Sequence, residues 1–138
     1  MTGLILDTST LLAALDAGEP RHDACAAAIG RSDADLVVPV LVLAELEYWC
    51  SKRGGTEGWL LFLDDVLAGA YRLEAPTDVD LHRVRELQVE YADLGLGVVD
   101  ASIVALAERL GLTHIATLDH RHFSVVRPAH TPAFDLVP

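Results

Sequence analysis

Short apolar runs alternate along this chain with longer segments in which apolar residues recur every third or fourth position. That is the pattern of buried strands alternating with amphipathic helices. Gly3-Leu4-Ile5-Leu6 is the first run, and Asp7-Thr8-Ser9-Thr10 after it reads as the capped start of a helix carrying Leu11, Leu12 and Leu15. Gly18-Glu19-Pro20 breaks that helix, and Pro20 suits the first turn of a second one through Ala28. Leu36-Val37-Val38 predicts a second strand, after which Pro39 opens a helix to about Arg53, stopped by Gly54-Gly55. A further helix is expected over 56–67 and a weaker third strand over 71–73. Thr77 with Asp80 three residues on has the form of a capping box, and Leu81, Val84, Leu87 and Tyr91 give the helix after it one apolar stripe. Gly95-Leu96-Gly97 ends it. Asp100 is then expected as the cap of a helix with Ile103, Leu106, Ala107 and Leu110 on one face, closed by Gly111. A fourth strand is predicted over 114–118, and one more from 124–126 or 134–137. Strands alternating with helices predict an α/β fold: a single domain over 1–138, an α/β/α sandwich on a central, mostly parallel sheet.

Composition narrows the setting. The 138 residues suit one domain, and at 51% hydrophobic they are ample for a core. The longest apolar run falls far short of the ~20 residues that span a membrane, and no charged segment followed by an apolar stretch marks a signal peptide. Cys25 and Cys50 both sit beside apolar residues in helical segments, as small buried hydrophobes in a reducing compartment would. A cytoplasmic protein is expected. The formal charge of −11 is unusual for a nucleic-acid binder, whose phosphate affinity normally comes from Lys and Arg. Either the partner is not nucleic acid, or the negative charge is concentrated where cations bind.

Four acids bear on that choice. Taken singly, each has an ordinary explanation: Asp7 and Asp100 as helix caps, Asp119 as a turn residue, Glu45 as a surface position on a helix. Jointly they point elsewhere. Asp7 and Asp119 both fall at the carboxyl end of a predicted parallel strand, where open α/β sheets bind ligands. Glu45 lies among Val42, Leu43, Ala44 and Leu46, on a largely apolar face. Asp100 follows the apolar Val98 and Val99. Two like charges about 4 Å apart repel by roughly 4 kcal/mol at the effective dielectric of a protein surface, so such a cluster makes sense around a divalent cation. All-oxygen ligation suits Mg²⁺ or Mn²⁺.

The strand–Asp–Thr–Ser opening at 4–9, Glu45 in Leu43-Ala44-Glu45-Leu46, the stretch from Tyr91-Ala92-Asp93-Leu94 to Asp100-Ala101-Ser102, and Ala116-Thr117-Leu118-Asp119 with Phe123 together resemble a PIN domain. The length further resembles the VapC toxins of bacterial toxin–antitoxin pairs. The resemblance implies a Rossmann-like domain with Mg²⁺- or Mn²⁺-dependent endoribonuclease activity, an RNA substrate, a VapB-like antitoxin and a homodimer. It implies Asp7 and Asp100 as direct metal ligands, with Glu45 and Asp119 completing the catalytic cluster. Ser9 and Thr117 match the hydroxyls that orient those carboxylates, and Asp93 is a further acid near the site. His122 is a departure, standing just before Phe123 where these toxins often carry Asp.

About four of the negative charges thereby belong to a metal site. The few basic residues are partly clustered, and Lys52, Arg53, Arg121 and His122 are candidate RNA contacts; solvated surface charge is the ordinary alternative. No Cys–His or His-Glu-x-x-His spacing supports a zinc site, and no glycine-rich loop after the first strand supports nucleotide binding. The aromatic-apolar stretch over 48–63 is apolar all round at 59–63, more than one chain readily buries, which suits a partner. Two alternatives stay open: a catalytically silent PIN-type module that binds proteins, and a housekeeping RNA-processing nuclease without an antitoxin.

Overall fold

The computed structural model describes residues 2–138. A five-stranded sheet runs through it, built from β1 (Gly3–Leu6), β2 (Asp35–Pro39), β3 (Arg72–Glu74), β4 (His114–Ala116) and β5 (Asp135–Val137). The strand order is β3-β2-β1-β4-β5, and every pairing is parallel rather than merely most of them. A parallel sheet needs both faces covered, which is why its central strand is a continuous apolar run. All four residues of β1 are buried. Seven helices flank the sheet: α1 (Thr8–Leu15), α2 (His22–Gly30), α3 (Val40–Lys52), α4 (Thr56–Leu67), α5 (Asp78–Glu90), α6 (Val98–Leu110) and α7 (His120–Val125). α1 to α4 form one contiguous packed group, while α5 packs on α6. Ile5, Leu6, Val37, Val38, Ile103, Ile115 and Phe123 fill the single core between them.

Gly3 opens β1 where a Cβ would come within 2.9 Å of the Leu112 side chain. Gly111 closes α6 at φ 69°, a conformation cheap only for glycine. Three expectations are corrected. Segment 124–126 ends α7 and is not a strand; the fifth strand comes from the tail alone. Leu81 lies exposed on α5, whereas Asp80 beside it is buried. Asp80 closes the capping box with Thr77 and takes both its oxygens to the Arg109 Nε at 3.0 and 3.1 Å, so a polar contact sets the inward face there. Gly97 caps α6, and Asp100 sits inside its first turn with Val98 exposed before it.

Candidate active site

Strand order reverses direction at β1: the chain goes from β1 outward to β2 and β3, then returns to add β4 and β5 on the other side. The crevice at the carboxyl ends of β1 and β4 is therefore the expected ligand site of this topology. Asp7 is the first residue past β1, and its N–H donates to the Ala116 carbonyl at the end of β4, 3.0 Å away. Thr117 follows β4 directly, so the two strand ends deliver an acid and a hydroxyl to one point.

Asp7 is buried, 5% exposed. Its Oδ1 accepts the Thr8 N–H at 2.8 Å, capping α1, and its Oδ2 accepts the Thr117 hydroxyl at 2.8 Å. The Ser9 hydroxyl stands 3.5 Å from the same Oδ2 and accepts the Leu118 N–H at 2.9 Å; Thr117 Oγ1 accepts the Asp119 N–H at 3.0 Å. The hydroxyls of Ser9 and Thr117 thus tie Asp7 to the loop that carries Asp119. Burial pushes the Asp7 carboxyl up to about 6; Thr117 pulls against that, and the negative charges of Asp100 and Glu45 push further up.

The Asp100 carboxyl, aimed inward from the first turn of α6, is also raised, again mainly by burial, with His122 opposing and Asp119 and Glu45 adding. Glu45 arrives from α3. It is exposed rather than on an apolar face, but its Oε1 accepts the Thr8 hydroxyl at 2.6 Å. Asp119 stands just ahead of α7. One turn on, His122 Nδ1 lies 2.7 Å from Asp100 Oδ2 and 3.3 Å from Asp119 Oδ2.

The structure therefore gathers Asp7, Glu45, Asp100 and Asp119, with Ser9 and Thr117, at one sheet edge. Two contributors were not expected there. Thr8 was legible only as part of a cap, although its hydroxyl spans 37 residues to Glu45. His122 was expected along a substrate path and instead lies between two of the acids. Asp93 is exposed in a 3₁₀ turn (Ala92–Leu94), with no contact to the cluster among the described residues. Lys52 lies over the Tyr48 ring, and Arg53 is held by Asp16 and Glu19. Both sit at the far end of α3, about 10 Å along its axis from Glu45. Arg121 is exposed beside Asp119 and forms no ion pair among the described residues.

No lysine or arginine among the described residues pairs with any of the four acids. Donor atoms of Asp100, Asp119 and His122 all lie within 4.8 Å of one another, a spacing one cation can bridge. Two carboxylates raised by burial and by their acidic neighbours, with no lysine or arginine paired to the cluster among the described residues, fit a divalent ion. A cavity of about 570 Å³ opens instead near the amino ends of β1 and β4, where Thr2, Leu112 and His114 line it. None of the four acids lines it, and an open edge suits a polymer better than a cavity does.

The chain matches the family described as PIN domain over residues 4–127. It is similar to Ribonuclease VapC26 of Mycobacterium tuberculosis, 38% identical over 135 residues that cover 98% of this chain and 100% of that protein. Among solved structures, the VapC20 toxin of Mycobacterium tuberculosis, described as cleaving the sarcin–ricin loop, superposes with a TM-score of 0.82 at 21% identity, covering 94% of this chain and 98% of that one. The DNA-bound VapBC of Salmonella typhimurium superposes with a TM-score of 0.71 at 18% identity, covering 99% and 97%. At those identities the two structures speak for the fold.

Proposed function

The chain belongs to the PIN-domain family and, through its full-length relative, to the VapC ribonucleases, and from that premise we propose that it is a metal-dependent endoribonuclease acting as the toxin of a toxin–antitoxin pair. The observation that carries this is the buried Asp7 at the end of β1, its carboxyl raised by burial and by Asp100 and Glu45, with no lysine or arginine among the described residues paired to these acids. Asp7 and Asp100 would hold the ion directly, with Glu45 and Asp119 completing its surroundings; Mg²⁺ and Mn²⁺ both suit carboxylate oxygens.

When bound, such an ion supplies acidification of water and neutralisation of charge at the scissile phosphate. The remaining steps belong to the chain. Thr117 and Ser9 fix the Asp7 carboxylate in place at the end of β1. Thr8 holds Glu45, which is exposed enough to meet substrate and accepts the proton of the attacking water. Water, not the RNA 2′-oxygen, is the nucleophile, so the products carry 5′-phosphate and 3′-hydroxyl ends. Arg121, exposed beside Asp119, is the best-placed of the candidate phosphate contacts; Arg53 is engaged by two acids and Lys52 lies apart.

The partner surface is the outer face of α3 and α4. Tyr48, Trp49, Leu60 and Leu61 are all about half exposed there, and a VapB-like antitoxin would cover them. An arginine from that partner, placed among the carboxylates, would supply bidentate neutralising charge and block the site. The protein would act in the cytoplasm as a homodimer; no helix among the described residues is long and apolar enough to cross a membrane. The test is cleavage of total RNA by purified protein with Mn²⁺ or Mg²⁺, with the new ends sequenced. Asp7→Asn and Asp100→Asn are expected to abolish cleavage while folding normally. Full activity in a folded Asp100→Asn protein would overturn the assignment.

A further inference from the structure

We infer that His122 is itself a donor to the active-site ion, through Nδ1, joining Asp7 and Asp100 and drawing Asp119 in as a direct donor, and that this tunes the centre toward Mn²⁺ over Mg²⁺. The inference rests on the nuclease assignment above and specifies how that site selects its metal. Three observations support it. Nδ1 faces both acids at once, 2.7 Å from Asp100 Oδ2 and 3.3 Å from Asp119 Oδ2. One nitrogen proton can bond well to only one of these oxygens, whereas a cation at their common centre contacts all three donors. The three donor atoms fall within 4.8 Å of one another, which accommodates metal–ligand distances of about 2.0–2.2 Å.

The donors are also fixed by the backbone. Asp119 and His122 are one helical turn apart at the start of α7, so their side chains share a face. Asp100 comes from the first turn of α6. The His122 side chain is only 18% exposed, so the ring is packed in place rather than free to swing into solvent.

The chemistry then sets the preference. Mg²⁺ is hard, sheds its waters reluctantly and is served by oxygen. Imidazole nitrogen favours transition-metal ions; Mn²⁺ stands lowest in their affinity order and shares the carboxylate preference of Mg²⁺, yet as a transition-metal ion it takes a nitrogen donor more readily than Mg²⁺ does. Nδ1 would coordinate through its lone pair, in the neutral tautomer that carries its proton on Nε2.

The test uses metal-stripped full-length protein, its His122→Asp variant, which substitutes an oxygen donor, and His122→Gln should the first fail to fold. Mn²⁺ and Mg²⁺ binding are measured by calorimetry, and the Mn²⁺ forms by pulsed electron paramagnetic resonance for nitrogen coupling. Wild type is expected to show a directly coordinated nitrogen and to bind Mn²⁺ more tightly than Mg²⁺. In the variant the coupling disappears and Mn²⁺ binding weakens by about tenfold or more, with Mg²⁺ much less affected. Mn²⁺ bound without nitrogen coupling, at the same Mn²⁺ to Mg²⁺ ratio in wild type and variant, would overturn this inference alone. Wild type binding neither ion would overturn the nuclease assignment and the inference with it.

Discussion

Asp7 shows how one residue carries both a structural and a chemical load. It caps α1 through Thr8, yet its carboxyl titrates near 6 because the site buries it beside two other acids. Folding thus favours the protonated form. In metal-free protein this stability is fully present below the ordinary carboxyl value of 3.8 and is lost as pH rises past about 6, a difference of about 3 kcal/mol. Thermal melts in chelator should therefore fall between those pH values. Millimolar Mn²⁺ should restore the loss at neutral pH by binding only the folded cluster. Asp7→Asn should flatten both responses; a wild type indifferent to pH and metal would reduce Asp7 to a cap. Thr8 carries a second prediction. Its hydroxyl holds the exposed Glu45, so Thr8→Val should lower kcat by about ten- to hundredfold, part of what a general base contributes, with KM little changed and Thr8→Ser largely active. Equal losses in both variants would make the contact merely structural. The acid at the end of β1 was legible from an apolar run followed by Asp. The Thr8–Glu45 and His122–Asp100 contacts were not, because they span 37 and 22 residues and no local pattern reports them; only the spacing of His122 three residues after Asp119 was local.

At the level of elements, local signals predicted well wherever a cap or a continuous apolar run decided the outcome. β1, β2 and the Thr77 capping box are such cases, each fixed by neighbours within a few residues. Periodicity failed where polar contacts set the inward face. On α5 the apolar stripe placed Leu81 inside, but Asp80 is the buried residue because Arg109 of α6 reaches it. The same held for α3, where burial of Val42 and Leu46 suggested a buried Glu45, and the acid instead lies exposed at the margin of that face. Asp100 was expected as a cap, and the glycine three residues earlier takes that place, leaving the carboxylate free to face the crevice. The α5–α6 contact also carries a prediction. Asp80→Ala removes a cap and leaves Arg109 without its main partner. The expected cost is about 2–4 kcal/mol, held to the lower part of the range for buried pairs because Arg109 stays partly exposed. Denaturant melts should show that loss while Mn²⁺ affinity is unchanged, since Asp80 lies outside the carboxylate cluster.

Across the whole molecule, a net charge of −11 and a site with few free cations mean that RNA is held more by the metal centre than by a basic surface. Binding to single-stranded RNA by an inactive Glu45→Gln protein should then depend weakly on salt, with a log–log slope of about −2 or shallower for two or three phosphate contacts. A slope steeper than that would reveal a basic groove the fold does not display. The other large-scale feature is apolar. Tyr48, Trp49, Leu60 and Leu61 are 49%, 47%, 53% and 57% exposed, on two helices that pack against each other, while Phe62, next along α4, is buried. Phe62 anchors α4 to the core, so its outer neighbours are free to serve something else. A half-exposed leucine contributes little to folding but much to a partner that buries it fully, on the order of 1 kcal/mol or more each. The double substitution Leu60→Asp, Leu61→Asp should therefore leave the melting temperature and RNA cleavage of the isolated protein nearly unchanged. It should also weaken binding of the proposed VapB-like antitoxin by at least about tenfold, because two charges would be buried unpaired in that interface. Calorimetry with the purified pair measures this directly. Wild-type affinity in the double variant would mean the antitoxin docks elsewhere, and a matching loss of stability would mean that α4 needs these leucines for its own packing.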